Sequence, residues 1–180
     1  MKRLGFALVV ALAVGACSTS RGGGDSAPAG AIDVTRTHLG QQLARAQIAV
    51  EPGNAAEANN PEFAAFRDAV EAQLAVRGYT IAPSRPSSEQ IARVTVTQGS
   101  RAALTTGWPA GLGTGSRQAN IVATLLDVRI QRRSDGTVFW QGRAVTEAPA
   151  GAARAETVAR LAEALFRDFP GDSGRTIRIR

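Results

Sequence analysis

Three side chains could carry chemistry on their own: Cys17, the only thiol of the chain, His38, the only imidazole, and Asp127, an acid set inside an apolar run. A Ser-His-Asp relay would have to pass through His38. That histidine instead closes the alternating stretch Ile32-Asp33-Val34-Thr35-Arg36-Thr37-His38, the setting of a structural strand residue. No cysteine and histidine cluster has the spacing of a zinc site. The other acids fall mostly at salt-bridge spacing on helix surfaces, not as the inward pair a glycosidase needs. Asp127 is expected to face outward and pair with an arginine of the neighbouring strand, Arg143. The stretch Gly107-Trp108-Pro109-Ala110-Gly111-Leu112-Gly113-Thr114-Gly115 lacks the Gly-Lys-Ser/Thr ending and following helix of a phosphate loop. The stretch is expected to be a mobile connection with Trp108 tucked against the sheet. The alternative, with Trp108 exposed, makes Gly107, Trp108, Pro109, Gly111, Gly113 and Gly115 a candidate partner-contact loop, because an indole suits half-wet surfaces. The residues therefore point to a non-enzymatic protein with no metal and no cofactor.

Cys17 has a different chemistry open to it. Met1-Lys2-Arg3, the apolar run from Leu4 to Val14 and the small residues Gly15-Ala16 are the marks of a secretory signal peptide. The run is too short for a membrane span, which needs roughly 20 apolar residues. Val14-Gly15-Ala16-Cys17 resembles the lipobox of bacterial lipoproteins, which implies cleavage before Cys17 and modification of its thiol by lipid such as palmitate. With one cysteine no intramolecular disulfide can form, and acylation accounts for an otherwise unpaired thiol in an exported chain. Several acyl chains anchor firmly, each buried CH2 contributing roughly 0.8 kcal/mol. Ser18 in place of aspartate implies, by resemblance to enterobacterial sorting, delivery to the inner, periplasmic face of the outer membrane.

The division expected is residues 1–16 as leader, 17–30 as lipidated cysteine and tether, and 31–180 as one domain. The tether Ser-Thr-Ser-Arg-Gly-Gly-Gly-Asp-Ser-Ala-Pro-Ala-Gly has no apolar period and cannot offset its ordering entropy. The whole chain carries 21 basic and 15 acidic residues. Losing Lys2 and Arg3 with the leader leaves 19 basic residues, all arginine, interspersed with the acids. Nucleic acid is a poor partner for such a pattern; a coding bias towards arginine accounts for it, the alternative being weak attraction to anionic envelope polymers or lipid head groups.

Alternation predicts strands at residues 32–38, 47–50, 79–81, 91–98, 120–132 and 137–147, with Thr176 to Ile179 either a last edge strand or a trailing end. Ser134-Asp135-Gly136 supplies a hairpin turn. Helices are predicted at 61–77, with Asn60 as cap, Pro61 in the first turn and Gly78 at the end, and at 153–169, with the stripe Val158, Leu161, Leu165 and Phe169. The fold class expected is α+β: an antiparallel sheet of about five or six strands, with two amphipathic helices packed on one face.

Ala69-Val70-Glu71-Ala72-Gln73-Leu74-Ala75-Val76-Arg77-Gly78-Tyr79, the hairpin Asp135-Gly136-Thr137-Val138-Phe139-Trp140-Gln141-Gly142 and the final helix ending in Phe169-Pro170 resemble bacterial lipoproteins carrying domain of unknown function 4136 (DUF4136). The resemblance runs over about residues 32–170. The stretch from Val34 to Leu39 lacks the family's frequent aromatics, and Ser88-Glu89-Gln90-Ile91 replaces its aspartate-rich entry to the middle strand. The resemblance implies a fold and an address in the cell envelope, not a reaction. The functional expectation is a membrane-anchored binding or adaptor module with an envelope protein partner. The alternative is a carrier or sensor of a lipid or small apolar ligand held between helices and sheet.

Overall fold

The computed structural model describes residues 30–40, 43–83, 88–108 and 120–180. Cys17, Pro109, Gly111, Gly113 and Gly115 lie outside them. Seven strands, β1 (Ile32–His38), β2 (Gln47–Pro52), β3 (Thr80–Ile81), β4 (Gln90–Gly99), β5 (Ile121–Arg132), β6 (Val138–Pro149) and β7 (Thr176–Ile179), form one sheet. Their order across it is β3-β2-β4-β5-β6-β1-β7. Among the described residues there are two long helices, α1 (Pro61–Val76) and α3 (Arg154–Phe166), and a single-turn helix, α2 (Arg101–Leu104), between β4 and β5.

The α+β class holds, but the sheet is mixed and larger than five or six antiparallel strands. β2 runs parallel to both β3 and β4, while β4, β5, β6, β1 and β7 pair antiparallel in that order. The cause is α1. A tight turn after β2 would have returned the chain antiparallel; a helical crossover brings the next strand back in the same direction. The segment 176–179 does add an edge strand, against β1.

α1 starts where Asn60 accepts the Glu62 amide at 3.0 Å and Pro61 occupies its first turn. It ends at Gly78, whose φ of 90° is the left-handed conformation glycine adopts freely. There the Tyr79 amide donates to Leu74 and the Gly78 amide to Ala75, the paired closure of a Schellman cap. α3 stops at Phe166, three residues before the expected end. Its last carbonyls are held from elsewhere in the chain: Arg36 donates to Ala164 (3.1 Å) and Leu165 (2.9 Å), and Arg77 to Phe166 (2.7 Å) and Arg167 (2.9 Å). Burial lowers the Arg36 pKa, with Asp168 and Asp172 opposing that shift.

Both long helices cover one face of the sheet. Phe63, Phe66, Val70 and Leu74 of α1, with Val158, Leu161, Leu165 and Phe166 of α3, meet Val50, Val94, Leu126, Val128, Ile130 and Trp140. Trp140 is wholly buried, stacks on Phe166 at 5.4 Å, lies 5.1 Å from Phe169 and donates its Nε1 proton to the Pro170 carbonyl at 3.0 Å. Gly142 makes that position possible: a Cβ there would sit 2.2 Å from the Trp140 ring and 2.7 Å from Leu165. The two motifs, Arg77-Gly78-Tyr79 and Trp140-Gln141-Gly142, thus converge on the end of α3, with Tyr79 edge-on to Phe169 at 6.1 Å.

Candidate functional site

The alternation that buries Val34, Val94, Leu126, Val128 and Trp140 under the helices turns their neighbours to the second face of the sheet. Register then lines those neighbours up in rows. One row reads Glu51, Arg93, Arg129, Gln141, Thr37 across β2, β4, β5, β6 and β1; the next reads Thr95, Asp127, Arg143, Thr35, Thr176 from β4 to β7.

Asp127 stands at the centre. Its Oδ2 accepts from Arg143 Nε and from Gln141 Nε2, both at 2.8 Å, and Arg129 Nε approaches its Oδ1 at 3.3 Å. The expected pairing with Arg143 is present. With both oxygens engaged by donors, this carboxylate is an acceptor and not a base awaiting a substrate proton. Arg93 and Arg129 face each other directly across β4 and β5, an arrangement of like charges that is unfavourable in itself.

Beside this cluster, Thr35, Thr37, Gln141, Arg143, Gly107 and Trp108 enclose a cavity of about 240 Å³. Trp108 is half-buried and its amide donates to the Thr105 carbonyl at 3.1 Å. Of the candidate contact loop, Gly107 and Trp108 therefore border a cavity on the sheet; the other members fall outside the described residues. What brings Trp108 there is α2. Ser100 caps this turn by accepting the Ala103 amide at 3.3 Å. Arg101 then reaches down to Asp33, the two forming a fully buried ion pair that Arg178 joins at 2.8 Å. Burial lowers the Arg101 pKa, Glu147 opposes that shift, and Arg178 adds to it.

His38 takes no part. Its Nε2 proton goes to the Gly171 carbonyl at 2.9 Å and its Nδ1 accepts the Gly40 amide at 3.1 Å, which uses both ring nitrogens on backbone. Sequence reasoning named Asp127, Arg143 and Trp108 but missed the wall residues Thr35, Thr37 and Gln141, and missed Asp33. Part of their signal was present: Asp33, Thr35 and Thr37 occupy every second position of residues 32–38.

No family model matches the chain. An uncharacterized protein of Zymomonas mobilis subsp. mobilis is 39% identical over 72 residues, which is 38% of this chain and 27% of that protein. Among solved structures, a PDZ domain protein from Parabacteroides distasonis is similar with a TM-score of 0.54 at 10% identity, covering 82% of this chain and 38% of that one. The chain thus spans well under half the length of either protein. A DUF4136 family protein from Bacteroides thetaiotaomicron is also similar, with a TM-score of 0.34 at 13% identity, covering 79% and 97% of the two chains. The family named from the motifs accordingly appears among the structural neighbours, and at 10% identity the likeness to the PDZ domain protein is one of fold.

Proposed function

We propose that this chain is a lipid-anchored, non-catalytic binding module of the cell envelope, held through Cys17 at the inner face of the outer membrane. It engages an envelope protein partner through the second face of its sheet. The observation that carries this reading is the contrast between the two faces. One is sealed by helices over Trp140, Phe166, Leu165, Leu126 and Val128, all fully buried. The other presents charged and hydroxyl side chains around a half-buried indole. A carrier would need an apolar room between helices and sheet, where these side chains already stand. The cavity of about 410 Å³ at the margin, between α1 and β2–β3, is bordered by the charged Arg67 and Glu71, whereas the adaptor needs only an accessible face. The engaged states of Asp127 and His38 support binding over catalysis. No helix among the described residues is long and apolar enough to cross a membrane; in this reading the attachment is the lipid on Cys17.

The test is photo-crosslinking in intact cells with probes at Trp108 and along Arg93 to Thr97, read by mass spectrometry. A reproducible adduct to one protein supports the adaptor and names its partner; lipid adducts without protein favour the carrier. Cys17→Ala is expected to abolish fatty-acid labelling and to move the protein out of the membrane fraction. A variant still labelled and still sedimenting with membranes would refute the anchor.

A further inference from the structure

The cavity beside Trp108 has a chemistry of its own. Every polar side chain at its wall, Thr35, Thr37, Gln141, Arg143 and the indole of Trp108, can donate a hydrogen bond, and none of the described residues lining it is acidic. Behind the wall lies a surplus of positive charge. Arg129 and Arg143 share one carboxylate, Asp127, through their Nε atoms, and Arg93 stands opposite Arg129 on the next strand. Neighbouring strands lie about 4.7–4.9 Å apart, so the guanidiniums form a short cationic track running from β4 towards the cavity, with Glu51, itself paired with Arg133, beside Arg93 at the far end. Arg129 and Arg143 keep 48% and 35% of their side-chain surface in solvent, so an incoming anion meets them without unfolding anything.

We infer that this cavity and track bind an acidic saccharide: a carboxylate-bearing sugar residue in the cavity, with further acidic residues of the same glycan over Arg129 and Arg93. The carboxylate takes Arg143 and Gln141, where charge-assisted bonds to a guanidinium are strongest. The apolar face of the sugar ring covers the indole of Trp108, which offers an apolar body and a polar tip. The ring hydroxyls exchange hydrogen bonds with Thr37 and with Thr35, whose hydroxyl already shares one bond with Thr176 at 2.7 Å and keeps acceptor capacity beyond it. A glutamate or aspartate side chain of a protein would use the arginine and leave the indole and threonines idle. A phospholipid would need apolar surface next to its head group, and the large apolar side chains exposed among the described residues, Leu39, Val76 and Val138, do not line this cavity. The inference shares with the proposed function its choice of the second face, and needs neither the anchor nor a protein partner.

The experiment is a titration of the full chain, in mild detergent, with hexagalacturonate, followed by tryptophan emission. Trp140 is sealed in the core, so the response belongs to Trp108, and Trp108→Phe provides the blank. Saturable binding is expected, weakening as salt is added, and neutral maltohexaose is expected to bind at least about tenfold more weakly for want of the charge-assisted contacts. Arg143→Gln should weaken hexagalacturonate about tenfold, and Arg129→Gln by a smaller factor. Arg129 is half-exposed, so its variant keeps the fold if removing Arg143 does not. Equal affinity for the neutral glycan would overturn the inference. So would tighter binding of inorganic phosphate or of phosphatidylglycerol vesicles than of the acidic sugar. Unchanged affinity in Arg129→Gln and Arg143→Lys together would overturn it as well. No binding of any glycan, alongside a protein adduct in the crosslinking experiment, would overturn the acidic-saccharide site while leaving the adaptor reading intact.

Discussion

Tyr79 is buried against Phe169, and its hydroxyl is enclosed without a hydrogen-bond partner among the described residues. Burial disfavours the phenolate and pushes the pKa up to about 12, against the smaller opposing pull of Arg45. An unfolded tyrosine loses its proton near its ordinary value of 10.0. The unfolded chain therefore deprotonates first as pH rises. This contribution to stability is whole below pH 10 and is lost as pH climbs through the folded value. Tyr79 is the chain's single tyrosine, so the phenolate absorbance reports it alone and its midpoint should fall near 12 in the folded protein. Tyr79→Phe removes an unsatisfied polar atom and keeps the ring. It should leave stability at neutral pH within about 0.5 kcal/mol or raise it, and flatten the alkaline loss. A midpoint at 10, or a loss well above that margin, would mean the hydroxyl is solvated or bonded. Some residue-scale facts were readable from sequence. Asp127 inside an apolar strand with Arg143 one hairpin away was one, because cross-strand pairing follows from the turn. The meaning of Gly142 was not, since it depends on where the Trp140 ring comes to lie.

Among the elements, α1 was legible because its signals are local: Asn60, Pro61 and Gly78 mark its ends, and its apolar residues recur at three and four. The end of α3 was not. The arginines that hold its carbonyls come from β1 and from the end of α1, far away in the chain, so the helix closes at Phe166 and frees Phe169 to turn back onto Trp140 and Tyr79. α2 is one turn long, below any periodic signal, and it is tied to the sheet through the buried Arg101–Asp33 ion pair. Asp33 is 1% exposed and Arg101 3%, so neither charge has water to fall back on. Asp33→Asn leaves Arg101 and Arg178 facing each other without the carboxylate between them. Breaking a buried pair costs about 3–5 kcal/mol, and the nearby Glu147 offsets part, which places the expected loss at the low end. Urea midpoints measure it. A double replacement, Asp33→Leu with Arg101→Met, should recover most of the loss, because two apolar side chains leave no charge buried. A loss below about 1 kcal/mol in Asp33→Asn would show that the pair is held for orientation and not for stability.

For the molecule as a whole, periodicity revealed the strands but not their neighbours. Alternation states which residues share a face; it does not state that β2 lies between β3 and β4, parallel to both, because that follows from the length and path of the crossover. The resulting order places β4, β5 and β6 in the interior of the sheet, each paired on both sides. It leaves a two-residue strand, β3, and a four-residue strand, β7, at the margins. Local opening follows such differences, since an edge strand separates by breaking one ladder and uncovering little apolar surface. Native-state hydrogen exchange should therefore find the slowest amides in β5 and β6, opening only with global unfolding. The amides by which β7 bonds to β1 should open at least about 2 kcal/mol more easily. If β7 proves as protected as β5, its outer edge is covered, and an unpaired edge is a template on which another strand can add. That result would move the working surface from the second face to the margin of the sheet. Protection that follows the expected order, and is unchanged at β7 when a partner is added, leaves the face with the arginines and Trp108 as the surface that binds.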